Sequence, residues 1–225
     1  MEAIGSSPNQ QAQPVSMMFA GMIQHQNNAR LQNELLIEAV RVRRYAHQVS
    51  RLSGMYFFTD LAEARAAEAW GGHFRAENLA ELAVRPLGHT TRVDSNWITY
   101  APRDSTGRLD KQDLSWIDRY WGGEWYRERP VWETIVHGRA TVLGIRLRQR
   151  GYLIIVKQFP AALDMLEVAR LAAEVDADLG QATAFIRRTT VDRYRLDYFL
   201  DMREAEDPQI LERLATYRGP RNFRD

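Results

Sequence analysis

Two stretches of this 225-residue chain carry residue types that can do chemistry. The first, SRLSGMYFFTD, sets Gly54 two residues before Tyr56 in a short aromatic run that Asp60 closes. A glycine lets a flat ligand approach the backbone, and a tyrosine beside it can stack on an aromatic ring. Ser53, Gly54 and Tyr56 are therefore candidates for a pocket floor, although an aromatic run of five is also what a core strand looks like. The second stretch, RPVWETIVHGRATVLGI, places one carboxylate, Glu133, between Trp132 and Thr134 at the head of a strand. A charge flanked there by apolar groups is costly unless it is paired or used. A solvent-facing edge position is the plain alternative.

Other chemistries find little footing. With no cysteine, disulfides, thiolate metal sites and cysteine nucleophiles are out. The five histidines are scattered without metal-ligand spacing, so no metal is expected. Neither Gly-x-Gly-x-x-Gly, a P-loop nor a Gly-x-Ser-x-Gly elbow occurs. Thirty Lys+Arg against 29 Asp+Glu leave a formal charge of +1, so nothing global steers the chain to nucleic acid. No apolar run is long enough to span a bilayer, and the start of the chain lacks signal-peptide organisation. A cytosolic protein without membrane insertion is expected.

These residues need elements to position them. Residues 1–16, rich in Gln, Ser and Pro, read as a disordered leader, with a secretion signal as the sharper alternative. Val15 to Ile23 reads as a short strand. An amphipathic helix follows, with Leu31, Leu35, Leu36, Ala39 and Val40 at helical spacing and Arg41, Arg43 and Arg44 at its end. With Arg51, these arginines are either phosphate contacts or a solvated helix end.

GMYFF then reads as a strand, and TDLAEARAAEAWG as a helix capped by Thr59 or Asp60 and stopped by Gly71-Gly72. NLAELAVRPL is expected to be a strand that ends at its proline, DSNWITYAP a loop or short strand, and LSWIDRYWGG a short helix. TIVHGRATVLGIRLR and GYLIIVKQF have the alternation and β-branching of a strand pair. From Ala161 the pattern turns helical, with stripes through Leu163, Leu166, Ala169 and Ala173 and through Tyr194, Tyr198 and Met202. The sum is an α+β fold with a mostly antiparallel sheet. It divides into the leader (1–16), a domain over 17–160, and a C-terminal helical extension over 161–225 packed on that domain. Five of the six Trp lie between Trp97 and Trp132 among Tyr and Arg, as a satellite core or a nucleobase-stacking surface.

In this order, GMYFFTD with its alanine-rich helix and WETIVHGRATVLGI resemble the ADP-ribosyltransferase superfamily, in its poly(ADP-ribose) polymerase and diphtheria-toxin branch. ELLIEAVR, VSRLSGMYFF, YWGG and VWETIV are also similar to an uncharacterised bacterial branch. The resemblance covers roughly Met17 to Val156. It implies a split antiparallel sheet, NAD as substrate, Tyr56 stacking on nicotinamide, and Glu133 as the catalytic acid that stabilises the oxocarbenium-like transition state. A first-strand His or Arg would hold the adenosine ribose or a phosphate. Here MMFAGM has Ala20 before Gly21, which leaves His25, Arg41 or Arg43 for that role. Val131 stands where the arginine-modifying branch carries a second acid, so arginine is a less expected target.

The activity so implied is NAD-dependent mono-ADP-ribosylation of a macromolecule, protein rather than nucleic acid, by a toxin, defence protein or injected bacterial effector. NAD hydrolysis on the same scaffold, or a catalytically silent protein-binding form of the fold with a regulatory partner, are the alternatives.

Overall fold

The computed structural model describes residues 15–219 apart from 72–73, 76–77, 181 and 191–192. Residues 1–14 of the expected leader, Gly72, and the last six residues of the chain lie outside the described residues.

The chain opens with α1 (Met17–Gln24), where a strand was expected. Met and Ala are good helix formers, the stretch contains one β-branched residue, and Ser16 caps it by accepting from the Phe19 N–H at 3.1 Å. Phe19, Ala20, Met22 and Ile23 are buried, with Leu31 and Leu52 in the same cluster. The amphipathic helix α2 (Asn28–Arg44) follows, capped by Asn27, and its buried positions are Leu31, Asn33, Glu34 and Ile37.

Strand β1 (Met55–Phe57) comes next, shorter than the five residues expected. Asp60 caps α3 (Leu61–Ala66), and a 3₁₀ turn runs on to Trp70. Strand β2 (Leu82–Asp94) does not stop at Pro86 as expected. It bulges between Pro86 and Thr90 and continues, which an edge strand tolerates because the proline has no N–H to offer. DSNWITYAP is the end of β2 followed by α4 (Asn96–Thr99), and LSWIDRYWGG contains α5 (Trp116–Trp121). Strand β3 (Trp132–Val142) lies between β1 and β2, antiparallel to both.

The C-terminal portion departs most from expectation. GYLIIVKQF is helical up to Gln158, in α6 (Ile145–Gln158), despite its β-branched trio. With β1 and β2 already flanking β3, a lone strand here would leave its backbone groups unpaired, whereas a helix satisfies them internally. Then α7 (Leu163–Glu174) gives way to a two-stranded antiparallel sheet, β4 (Ala182–Thr190) and β5 (Arg193–Leu200), so the last third is not wholly helical. Tyr194 and Tyr198, expected on a helical stripe, lie on β5. Helix α8 (Pro208–Thr216) closes the described chain, and Ile210 packs with Ala172, Ala177 and Leu179.

The fold is thus α+β, built on a small antiparallel sheet of three strands and a separate hairpin. Ile37 of α2, Val93 of β2, Ile135 of β3, and Trp97, Trp116, Ile117, Tyr120 and Trp121 form the principal core. The Trp-rich segment therefore supplies the main core rather than a satellite. Trp121 and Trp97 satisfy their indole N–H groups on the carbonyls of Ile37 (3.1 Å) and Glu124 (2.8 Å). Two tryptophans of the segment stand outside that core: Trp125 is exposed, and Trp132 is half-buried with the Arg92 guanidinium over its ring.

Candidate functional site

The register places the two singled-out residues together. Tyr56 faces Ile135 across β1 and β3, and Glu133 lies two residues from Ile135, so both side chains leave the same face of adjacent strands. That face is turned toward α2 and α5. Glu133 sits on the central strand with its side chain 13% exposed, so the solvent-facing edge alternative fails.

What meets them there is Arg51. Its guanidinium lies 5.2 Å from the centre of the Tyr56 ring and 5.7 Å from that of Tyr120. Nε and Nη2 donate to the two oxygens of Glu34, at 2.8 and 3.1 Å, and Nη1 donates to the Tyr120 hydroxyl at 2.8 Å. The same Nη1 is 4.0 Å from Oε2 of Glu133. The Ser95 hydroxyl donates to that Glu133 oxygen. Tyr56 donates its hydroxyl to the Arg51 carbonyl at 2.7 Å. Met18 of α1 completes the wall, its Sδ 3.4 Å from Nη2.

Arg51 is buried, so it is not one of the solvated arginines that a helix end would offer. Two carboxylates, Glu34 and Glu133, thus lie beside one guanidinium. Burial pushes the Glu133 carboxyl above its usual range, opposed by Arg51 and by the Ser95 hydrogen bond. Burial likewise holds the phenols of Tyr56 and Tyr120 above the usual tyrosine value, so Tyr56 donates and Tyr120 accepts as neutral phenols.

Asp94 sets the frame behind the site. Fully buried, it accepts from the backbone N–H of Asn96 (3.0 Å), Val131 (2.9 Å) and Tyr126 (2.8 Å). It thereby fixes the turn carrying Ser95 against the segment that enters β3.

A cavity of about 400 Å³ opens beside this network, lined by Arg30, Asn33 and Glu34 of α2, by Arg51, and by Ile98 and Arg103. Its size is in the range of small-molecule sites. Arg51 is common to the cavity and to the contacts of Tyr56 and Glu133.

The remaining candidates fall elsewhere. Ser53 Oγ lies 2.8 Å from His137 Nε2. Burial, then Arg41, hold His137 below the usual histidine range, with Glu38 opposing. The space a Cβ would take at Gly54 is filled by Ile135 Cγ2 at 2.4 Å, with the Ser50 carbonyl and Val49 Cγ1 at 2.9 Å. Arg43 is exposed and donates to the Ala39 carbonyl of its own helix. His25 is exposed at the end of α1. Neither Arg43 nor His25 forms a hydrogen bond or ion pair with Tyr56, Arg51 or Glu133. Arg41 is held by Glu38 and by the carbonyls of Ala46 and Gln48.

Glu34, Ser95, Tyr120 and the buried role of Arg51 are not evident from motifs. One signal was present: Leu31, Glu34 and Ile37 recur at helical spacing, which puts a carboxylate on the core face of α2.

A family model described as Protein of unknown function (DUF2441) matches residues 6–149. The chain belongs to the DUF2441 family. That match spans Glu34, Arg51, Tyr56, Ser95, Tyr120 and Glu133, and ends within α6. No curated protein and no solved structure matches the chain.

Proposed function

We propose that this DUF2441 protein is an NAD-dependent mono-ADP-ribosyltransferase, with Glu133 as the catalytic carboxylate and Tyr56 as the ring on which nicotinamide stacks. The observation that carries this reading is the convergence of Tyr56 and Glu133 from one face of adjacent strands on a single buried cation. Nicotinamide in NAD is itself a flat cation. The excess negative charge of Glu34 and Glu133 over Arg51 suits such a ring, and the Tyr56 face suits its stacking.

In the proposed step the bond between ribose C1′ and the nicotinamide nitrogen breaks, and nicotinamide leaves as a neutral base with the bonding pair. Positive charge then develops on the ribosyl carbon, where the Glu133 carboxylate stabilises it. The Ser95 hydrogen bond holds that carboxylate in place, so the carboxylate itself needs little reorganisation as the charge appears. A nucleophile on a macromolecular target adds to C1′ and gives up its proton, and water in its place yields hydrolysis. The split-sheet form of the fold and roles as a toxin, defence protein or effector belong to the same proposal. The missing first-strand His passes the phosphate-binding task to arginines, with Arg51, Arg30 and Arg103 at the cavity.

One observation favours the silent, partner-binding alternative: the guanidinium of Arg51 already occupies the neighbourhood of the Tyr56 ring. Catalysis requires it to yield that place while staying on Glu34. Calorimetric titration of NAD into the full chain decides between them. Binding that weakens about tenfold or more in Tyr56→Ala supports the transferase reading, on the scale of a lost ring stack. A folded protein that takes up no NAD supports the silent one.

A further inference from the structure

We propose that α6 rests on the surface of an anionic membrane. None of its described side chains is buried, although it carries Leu147, Leu153, Ile154 and Val156, which are 40%, 63%, 44% and 39% exposed. Leu143 before it and Phe159 after it are 52% and 60% exposed, so the apolar exposure runs past both ends of the helix. A helix of this length does not leave so many apolar groups in water without a surface to cover them.

Charge identifies that surface. Between Leu143 and Ala162 the sequence has Arg146, Arg148, Arg150 and Lys157 and no acidic residue, in a chain whose formal charge is only +1. Arg146, Arg150 and Lys157 are exposed and form no ion pair among the described residues. At about 100° per residue these three fall within an arc of roughly 40°, with Leu153 on one side and Ile154 and Leu147 on the other. A second copy of the chain would set this cationic stripe against itself. An anionic lipid surface suits it: long basic side chains reach phosphates while the flanking leucines and isoleucine enter the headgroup boundary. The helix lies on such a surface rather than across it, since no helix among the described residues is long and apolar enough to cross a membrane. The proposal is independent of the NAD reading, because α6 lies largely beyond the DUF2441 match.

Sedimentation of the full chain with vesicles tests it. Vesicles of phosphatidylcholine with one-third phosphatidylglycerol are expected to carry the protein down at low salt. Phosphatidylcholine alone is expected not to, and salt to release it. The triple change Arg146→Gln, Arg150→Gln, Lys157→Gln is expected to weaken binding roughly 100-fold, at about fivefold per basic residue near the surface. Leu153→Ser with Ile154→Ser is expected to weaken it as well, and Arg43→Gln with Arg65→Gln, on the exposed surfaces of α2 and α3, to leave it intact. All are exposed, so unchanged circular dichroism and melting temperature show that the variants fold. No pelleting with anionic vesicles, or pelleting that the triple variant retains, overturns the proposal. Capture by polyglutamate without capture by vesicles also overturns it, in favour of an acidic protein partner.

Discussion

Arg51 grips Glu34 at two points, 2.8 and 3.1 Å, in a pair almost wholly shielded from water. The grip leaves Nη1 directed at Tyr120 and near Glu133, so the site carboxylate and the structural ion pair form one network. Removing one partner of a buried pair strands the other's charge. Glu34→Gln is expected to destabilise the fold by about 3–5 kcal/mol, and Arg51→Met by a similar amount. Glu34→Leu combined with Arg51→Met is expected to recover much of that loss, because no charge is stranded. Urea unfolding of the three variants measures this.

The raised carboxyl of Glu133 has a pH consequence. Its native form binds the proton more tightly than the unfolded chain does, so its contribution to stability is full below the ordinary carboxyl value, about 4.3, and is lost as pH rises through the native value. Ionised Glu133 is therefore a burden on the fold near neutrality. Glu133→Gln is expected to raise the melting temperature at about pH 7.5, with the gain fading as the pH is lowered to about 4. Thermal melts across that range check the sign.

Asp94 satisfies three backbone N–H groups at once. Asp94→Ala orphans all three in the interior, and a loss of at least ~3 kcal/mol is expected from the usual cost of unsatisfied buried donors. Asp94→Asn keeps acceptor capacity and is expected to cost less. Chemical denaturation ranks the two.

At Gly54 the neighbours leave no room for a side chain, Ile135 Cγ2 being 2.4 Å from where a Cβ would stand. Gly54→Ala is expected to cost about 1–3 kcal/mol by overpacking. Ile135→Val gives no relief, because valine keeps the clashing Cγ2 and loses only Cδ1, so the double variant is expected to be no more stable than Gly54→Ala alone. The same unfolding assay reads both.

What the sequence made legible was local. The periodicity of Leu31 to Val40 marked α2, the Gly pair marked the end of α5, and GMYFF and WETIV marked strands that do pair through Tyr56 and Ile135. Where local preference and tertiary demand diverged, the reading failed. Met17–Gln24 is an unalternating apolar run, which periodicity cannot assign. Ile154, Ile155 and Val156 favour a strand but are helical. Phe185, Ile186, Tyr194 and Tyr198 favour strands but were absorbed into a helical pattern begun at Ala161. At the site, Tyr56 and Glu133 were visible because each stands out from its neighbours. Arg51 and Glu34 were not, since an ion pair across 17 positions has no local signature, and only the apolar company of Glu34 hinted that it needed a partner.

The central claim is that Glu133 breaks the glycosidic bond of NAD. The most direct measurement incubates the full chain with NAD labelled on the adenylate side, alone and with cell lysate, beside Glu133→Gln. The account predicts release of nicotinamide and transfer of label to a macromolecule by the wild type, and a fall of roughly 100- to 1,000-fold in the variant, the usual cost of losing one preorganised electrostatic contact. Folded wild-type protein that releases no nicotinamide and labels nothing, or a Glu133→Gln variant that works at the wild-type rate, would contradict it.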